Sequence, residues 1–229
     1  MRRYFVCLPL ILLAMLISLG FRPPTITMAL ITKIVQEVTK KSPATEWEKA
    51  SKGETLTSGD YLRTGKKSLA IVKFTDNSML RVRELSEMRI LGEIRGTALS
   101  KTVDIQTGGF GFDIRKQQDE EFIFTSPTSV ASIRGTKGKM TTGSEGDTMI
   151  VTEGTINLTN NASQRNVTLP AGTIGFSNPD GSISSRKATD RELAGANEAI
   201  SGGGSQHELK LDLRDPQGNK RELRIHYKK

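Results

Sequence analysis

The stretch SLAIVKFTDNSMLRVR, residues 68–83, has apolar residues at every second position on both sides of a short polar turn, and Leu69 and Ile71 make the other face of the first strand apolar at its start. Apolar residues recur at every second position from Ala70 to Phe74 and again from Leu80 to Val82. A period of two is typical of β-strands with one buried face, and the Asp-Asn-Ser sequence at residues 76–78 is a turn signal. This stretch therefore predicts a β-hairpin.

The same alternation continues outward from this hairpin. Between residues 52 and 181, turn signals recur at intervals typical of short strands joined by tight connections, which predicts an all-β domain. Residues 30–38 fit both a helix and a strand. Residues 189–200 predict a short helix, because Thr189 and Glu192 have the spacing of a capping box and apolar residues follow at helical intervals.

A glycine-rich linker, residues 202–206, separates the helix from an alternating C-terminal segment, residues 207–229. The segment predicts a β-hairpin, and two strands alone are only marginally stable in water. We therefore expect the hairpin to pair with a sheet edge of the main domain or with another protein, including a second copy in an oligomer.

The first 29 residues have the layout of a secretory signal peptide: basic residues, an apolar run and a small-x-small site at residues 27–29. The alternative is a retained N-terminal anchor, which would be the chain's contact with the membrane. In either case the rest of the chain is exported, to a bacterial periplasm or cell envelope. The only cysteine, Cys7, lies in the apolar run, so no disulfide is expected, and residues 30–229 carry a formal charge of +5.

Residues 30–206 contain neither histidine nor cysteine, because both histidines lie in the C-terminal segment. The usual proton shuttle at neutral pH and the usual nitrogen and sulfur metal ligands are therefore missing from the main domain. We expect no enzyme, no cofactor and no metal site, although serine–lysine chemistry stays open on composition. Aromatic residues are scarce, so no stacking platform for nucleic acid is expected.

Several sequence blocks in a defined order resemble the FecR domain, the periplasmic β module of bacterial iron-transport regulators. The blocks are WEKASKGETLTSGDYLRTG (47–65), FTDNSMLRV (74–82), TSPTSVASIRGT (125–136), VTEGTI (151–156) and LPAG (169–172). The resemblance implies a β-roll or solenoid-like sandwich over roughly residues 31–180. The regulators carry a cytoplasmic region before their membrane helix, and here only three residues precede the apolar run, so the resemblance implies the module without the sigma-factor route.

Two of these blocks contain most of the candidate site residues. Gly135 predicts a positive φ or a close approach of a neighbouring strand. Arg134 predicts a structural clasp to Asp60 or Glu153, with ligand binding as the alternative. Asp60 is also placed to accept backbone N–H groups of its own turn. The full candidate set is Trp47, Gly59, Asp60, Arg134, Gly135, Thr136 and Glu153, with Trp47 expected to pack in the core or at its rim.

The sequence thus predicts an exported, non-enzymatic module of the cell envelope that binds a protein or polymer partner. One alternative is a membrane-anchored periplasmic sensor in transmembrane signalling, and a second is a hydrolase or transferase acting on envelope polymer. The predicted units are a signal peptide or anchor (1–29), a FecR-like β domain (30–185), a helix (186–201), a linker (202–206) and a C-terminal hairpin (207–229).

Overall fold

A computed structural model describes residues 26–95, 98–116, 122–201, 206–214 and 220–228. These residues form nineteen strands and one helix, α1 (Asp190–Ser201). The first nine strands are β1 (Thr27–Val35), β2 (Val38–Lys41), β3 (Glu48–Lys49), β4 (Thr55–Thr57), β5 (Tyr61–Thr64), β6 (Leu69–Phe74), β7 (Met79–Val82), β8 (Glu87–Arg95) and β9 (Ala98–Ile114). The remaining ten are β10 (Phe122–Thr125), β11 (Ser129–Ile133), β12 (Thr136–Gly143), β13 (Gly146–Glu153), β14 (Thr155–Asn160), β15 (Asn166–Pro170), β16 (Thr173–Ser177), β17 (Ile183–Lys187), β18 (Gln206–Arg214) and β19 (Lys220–Lys228).

The strands before β18 form two layers that share one long strand, β9. Sheet A has the order β4-β1-β6-β7-β9-β12-β13-β16-β17, and sheet B has the order β3-β2-β5-β8-β9-β10-β11-β14-β15. After β9 the chain moves two strands at a time, with β10–β11 in sheet B, β12–β13 in sheet A, β14–β15 in sheet B and β16–β17 in sheet A. This is the expected all-β, solenoid-like sandwich, and it is not closed into a barrel.

Gly108 lies where β9 crosses from one sheet to the other. Residues up to Thr107 pair with β8, whereas residues from Gly108 onward pair with β12. Gly108 has a φ of +99°, and a Cβ there would lie 2.4 Å from the Cα of Ser86. Only glycine fits this crossing, because both the backbone angle and the close approach exclude a side chain.

The core lies between the two sheets and contains a cluster of phenylalanines. Phe124 of sheet B meets Phe110 and Phe112 of sheet A edge-on, with ring centroids 5.0 and 5.1 Å apart. Phe74 of sheet A meets Phe122 of sheet B in the same way at 5.0 Å. Edge-to-face pairs contribute about 0.5–1.5 kcal/mol each beyond their buried area, so these contacts hold the two sheets together.

A lysine lies inside this core. Lys101 of β9 is 1% exposed, and its Nζ lies 3.1 Å from the Oδ2 of Asp76 in the turn between β6 and β7. The other oxygen of Asp76 accepts the N–H of Ser78 at 2.9 Å. The turn of the first hairpin is thus tied to sheet B by a buried ion pair.

The structure corrects the predicted N-terminal boundary. Residues 1–25 lie outside the described residues, but β1 begins at Thr27, and Met28 and Ala29 are buried in the core. A boundary at residue 30 would therefore cut through a core strand. The β interpretation of residues 30–38 is correct, and the helical one is wrong because β1 pairs with both β4 and β6.

Helix α1 covers the outer side of sheet A. Its capping box is confirmed, since the N–H of Thr189 donates to Glu192 Oε2 at 2.8 Å and the N–H of Glu192 donates to Thr189 Oγ1 at 3.3 Å. The predicted helix boundary at 186 is too early, because β17 extends to Lys187. Ala196 packs on Ile150 and Ile174 in a small apolar cluster outside the main core.

The C-terminal hairpin, β18–β19, forms a two-stranded sheet of its own, so the predicted pairing with an edge of the main domain is absent from the sheets of the described residues. In the part of the chain that the structure describes, no helix has the length and apolar character needed to cross a membrane.

Candidate interaction surface

The outer side of sheet B carries a row of large polar and aromatic residues. In β5, Leu62 and Thr64 are buried in the interior, so Tyr61 and Arg63 lie on the outer side. The register then places Tyr61 between Lys41 of β2 and Arg89 of β8. The three strands therefore bring two cations to either side of one aromatic ring.

Trp47 joins this row from the turn before β3. Its half-buried ring meets Tyr61 edge-on at 6.3 Å, and the guanidinium of Arg63 lies 4.0 Å above it. The guanidinium of Arg89 lies 5.1 Å from the Tyr61 ring. Trp47 is thus a rim residue, as one of the two sequence interpretations expected, but its partners are surface arginine and tyrosine rather than the core.

One of the arginines has a carboxylate partner on the same surface. Arg63 donates from Nε and Nη2 to Glu87 Oε2 at 2.9 and 2.7 Å. Arg89 differs, because its Nε is buried and has no hydrogen-bond acceptor among the described residues. Its cross-strand neighbour Asp104 instead accepts hydrogen bonds from Thr125 and Gln106. The terminal nitrogens of Arg89, rather than its buried Nε, are therefore the donors that could bind a ligand in the groove.

These residues line a groove with a volume of about 350 Å³. We call it the aromatic–arginine groove, and it consists of Lys41, Pro43, Trp47, Tyr61, Arg63, Glu87 and Arg89. The arrangement suits recognition, because guanidinium and ammonium groups bind anions and the rings supply rigid apolar area. Within the described residues, no group of three or more histidine, cysteine or acidic side chains is placed to hold a metal ion.

Gly59 and Asp60 hold one wall of the groove. Asp60 is 2% exposed and accepts the N–H of Thr57 at 2.8 Å, as its position in the turn predicted. Its other oxygen accepts the hydroxyl of Ser42 at 2.6 Å. Gly59 has a φ of +99°, and a Cβ there would lie 2.9 Å from Cγ of Pro43. The turn therefore positions the Ser42–Pro43 segment beside the groove.

At the Arg134–Gly135 site, the structural role belongs to the backbone of Gly135. Gly135 has the predicted positive φ, +63°, at the corner where the chain passes from β11 to β12. A Cβ on Gly154 would lie 2.7 Å from the carbonyl oxygen of Gly135, so two corners of the roll pack backbone to backbone. Thr136, the next residue, is fully buried.

The exposure of Arg134 excludes a buried ion pair, and its structural clasp to Asp60 or Glu153 stays a prediction. Arg134 is exposed, whereas Asp60 is buried and bonded to its own loop. The other candidate, Glu153, forms an ion pair with Lys137 at 2.6 Å on the surface. An exposed arginine contributes far less to stability than a buried pair, so Arg134→Ala should lower the free energy of unfolding only slightly.

Sequence reasoning missed a buried polar cluster below the loop at residues 126–129. Asp147 is 2% exposed and accepts hydrogen bonds from the hydroxyls of Ser126 and Ser129. Ser126 Oγ in turn accepts the N–H groups of Thr128 and Ser129 at 3.0 and 2.9 Å. The cluster explains why the Ser-Pro-Thr-Ser segment requires small hydroxyl residues: they anchor the loop to β13.

Sequence reasoning also missed the burial of Lys101, although the alternation of inward and outward positions in β9 indicates it. Val103 and Ile105 are the inward positions of β9, and Lys101 has the same phase. A lysine at an inward position predicts a buried carboxylate partner.

Comparison with known proteins gives a family match and two structures of similar fold. Residues 60–157 match the model of the family described as FecR protein. This region of the chain is therefore similar to the FecR family. The matched region includes four residues of the aromatic–arginine groove, Tyr61, Arg63, Glu87 and Arg89, and the other three precede it.

Two solved structures share the fold of this chain. Both are crystal structures of a proposed anti-sigma factor from Parabacteroides distasonis ATCC 8503, at 1.65 Å and 2.50 Å resolution. The first is 13% identical, with a TM-score of 0.50 over 58% of this chain and 62% of the other. The second is 14% identical, with a TM-score of 0.51 over 69% and 68%. A comparison with curated proteins gave no match.

Proposed function

We propose that this protein is an exported regulatory module of the cell envelope that binds an acidic segment of a protein partner in the aromatic–arginine groove. The observation that carries the proposal is the guanidinium of Arg89, which lies 5.1 Å from the Tyr61 ring and lines the groove. The FecR domain supports a regulatory role, and the fold of the proposed anti-sigma factors agrees with it.

The composition of the groove favours a protein partner. Tryptophan, tyrosine and arginine are the residues that most often dominate the binding energy of protein interfaces. The groove has three cations, Lys41, Arg63 and Arg89, against one carboxylate, Glu87, which Arg63 already neutralises. The remaining positive charge is complementary to glutamate or aspartate in the partner.

A non-catalytic role is part of this proposal. Residues 30–206 contain no histidine or cysteine, and the groove residues are suited to binding rather than to proton transfer or nucleophilic attack. Export is supported by the apolar run at residues 4–21 and the basic residues before it.

The fluorescence of Trp47 tests the proposal, because it is the only tryptophan in the chain and it lines the groove. Titration of the purified protein with a hexaglutamate peptide should change the Trp47 emission saturably. The effect should weaken with added salt and should be absent with hexalysine. In the Arg89→Gln variant the apparent Kd should rise on the order of tenfold, as expected for loss of a charged hydrogen bond.

Arg186→Gln is the matched control, because the Arg186 guanidinium lies 5.4 Å from the Phe176 ring on sheet A, outside the groove. Binding by this variant should equal that of the unchanged protein. Absence of saturable binding, or equal weakening by both variants, would contradict the proposed function.

A second candidate is a membrane-anchored periplasmic sensor, in which the same groove binds its partner while the N-terminal run stays in the membrane. The FecR domain and the length of the apolar run favour it. Cell fractionation with N-terminal sequencing of the mature protein separates the two. A mature N-terminus after the apolar run supports the exported module, and an intact N-terminus in the membrane fraction supports the sensor.

A further inference from the structure

The C-terminal hairpin has an unusual distribution of charge across its two strands. The register pairs Lys210 with Arg224 and Asp212 with Glu222. Like charges directly opposite one another in an antiparallel pair are destabilising, so the hairpin register is not chosen by these charges. The same register aligns apolar positions, because Leu209 pairs with Ile225 and Leu211 with Leu223.

The third charged pair follows the same pattern, since Arg214 pairs with Lys220. The even-numbered positions of the hairpin therefore carry alternating bands of positive and negative charge. A two-stranded sheet with this pattern and an apolar set of alternate positions is marginal by itself. A neighbouring strand that places a negative charge opposite each positive one, and a positive charge opposite each negative one, would stabilise it.

The outer edge of β18 supplies such a neighbour from a second copy. Its even-numbered positions are Glu208, Lys210, Asp212 and Arg214, so the sign of the charge alternates along the strand. When this pattern runs antiparallel to itself about Leu211, position 210 of one copy lies opposite position 212 of the other. Position 208 then lies opposite position 214. Every charged position of β18 meets the opposite charge.

We propose that β18 pairs antiparallel with β18 of a second copy about a two-fold axis at Leu211, which makes a four-stranded sheet β19-β18-β18-β19. The apolar positions stay in phase, because Leu211 meets Leu211 and Leu209 meets Leu213. Four strands with one apolar set exceed the minimum for independent stability in water. The interface is isologous, as expected for a closed dimer.

Neighbouring registers are unfavourable. A shift that centres the axis on Lys210 places lysine opposite lysine and Glu208 opposite Asp212. A shift that centres it on Asp212 places aspartate opposite aspartate and Lys210 opposite Arg214. Each of these two alternatives creates like-charge pairs. An axis at Leu209 or Leu213 creates none, but it leaves fewer opposite-charge pairs than the axis at Leu211, so the charge pattern favours Leu211.

The edge of β19 is a poorer partner for itself. Its even-numbered positions are Lys220, Glu222, Arg224, His226 and Lys228, which do not alternate in sign over the whole strand. An axis at Leu223 pairs Glu222 with Arg224 but places Lys220 opposite His226. The observations therefore favour β18 as the dimer edge.

Charge reversal separates this dimer from a purely structural role of the hairpin. In Lys210→Glu, the new carboxylate lies opposite Arg224 within its own hairpin, which relieves the like-charge pair. In the dimer, however, two glutamates at position 210 would lie opposite Asp212. Asp212→Lys behaves in the same way with the signs exchanged. Each variant alone should therefore dissociate more readily, with the dimer Kd raised on the order of tenfold.

Mixing the two variants should restore association. In the mixed pair, Glu at position 210 of one copy meets Lys at position 212 of the other, and Lys210 of the second meets Asp212 of the first. Sedimentation of the full-length protein over a range of concentrations gives the dimer Kd for each variant and for the mixture. A protein that stays monomeric, or variants that associate as well alone as mixed, would overturn the proposal.

Cross-linking tests the register directly. In a Cys7→Ser background, Leu211→Cys should form an intermolecular disulfide under mild oxidation, because position 211 lies opposite itself. Leu209→Cys is the matched control, since its two copies would be offset by four residues, about 13 Å, beyond the reach of a disulfide. Cross-linking of Leu209→Cys in preference to Leu211→Cys would overturn the register, and Arg89→Gln should leave both results unchanged.

Discussion

The two sheets share one core but present different outer sides. On sheet A, helix α1 covers β9, β12 and β13, and a Cβ on Gly111 would lie 2.3 Å from the carbonyl oxygen of Ala199. On sheet B, Trp47, Tyr61 and Arg63 lie at the surface around a groove. Small residues, glycine and alanine, allow close packing on the covered side, whereas aromatic rings and guanidinium groups lie at the surface of the open side.

This difference indicates which residues serve stability and which are available for binding. Small residues below α1 allow backbone contact, which is useful only inside the molecule. Arginines stacked on aromatic rings lose little conformational freedom when they bind a ligand, because the rings already restrict them. Substitutions on the covered side of sheet A should therefore lower stability, and substitutions on the open side of sheet B should weaken binding.

The largest expected effect lies in the core that supports both sides. Asp76→Ala leaves the ammonium of the buried Lys101 without the Asp76 carboxylate and should lower the free energy of unfolding by about 3–5 kcal/mol. Urea denaturation followed by Trp47 fluorescence measures the loss. It should affect both sheets in one transition.

Asp180→Ala is the matched control for Asp76→Ala. Asp180 accepts the N–H of Ser182 at 2.7 Å in the same kind of turn, but it is exposed. Its replacement should have a much smaller effect. Equal losses for the two variants would show that the turn, and not the buried ion pair, accounts for the stability.

The next largest effect is expected for Gly111→Ala, which disturbs the packing of α1 on sheet A. The added Cβ would overlap the backbone of α1 at Ala199, so the helix must shift, at a cost of about 1–3 kcal/mol. Gly143→Ala adds the same group with nothing within 4 Å and should be nearly neutral. Thermal unfolding compares the two, and an undisturbed Gly111→Ala protein would mean that α1 does not pack closely on sheet A.

The open side should tolerate change. Arg63→Gln removes the surface ion pair with Glu87 and the contact with the Trp47 ring, at a cost of about 1 kcal/mol or less. Urea denaturation should therefore give nearly unchanged stability, while binding of hexaglutamate weakens. A stability loss as large as that of Asp76→Ala would place Arg63 among the structural residues.

The smallest effect concerns the start of α1. The hydrogen bond from Arg186, with help from the N–H of Thr189, lowers the pKa of Glu192 to about 2. A lowered pKa in the folded state means that the contribution is full above the ordinary value near 4.5 and is lost as the pH falls toward 2. The protection factor of the Ala196 amide, which is its exchange rate corrected for the intrinsic pH dependence, should therefore fall between pH 4.5 and 2.

Glu192→Gln provides the control for this titration. It lacks the titrating carboxylate, so the difference in exchange between the two proteins should disappear at the acidic end of the window. A difference that stays constant from pH 6 to pH 2 would contradict the assigned cause.

The sequence predicted the strands better than it predicted which side chains from different strands lie together. Alternation from Ala70 to Phe74 depends only on local positions, and the structure confirms the hairpin. The Thr189–Glu192 capping box is equally local. The groove is not local, because Trp47, Tyr61 and Arg89 come from separate segments whose contact depends on the pairing of strands.

Whether a charged side chain is buried also depends on contacts between distant segments. Arg134 lies between two β segments, and only its exposure in the folded chain excludes a buried clasp. Lys101 shows the opposite case: its phase in β9 places it inside the core, so a strict application of alternation would have found it. Partners such as Asp76, 25 residues away, need the three-dimensional structure.

Quenching of Trp47 fluorescence most directly tests whether sheet B presents an open, cationic aromatic surface. Iodide and caesium ions are compared at the same ionic strength on the native protein, and each quenching constant is divided by that for free N-acetyltryptophanamide, because caesium is intrinsically the weaker quencher. Because Lys41, Arg63 and Arg89 surround the groove, iodide should quench Trp47 several-fold more strongly than caesium, and hexaglutamate should protect it. Equal quenching by both ions, or shielding of Trp47 from both, would contradict the account.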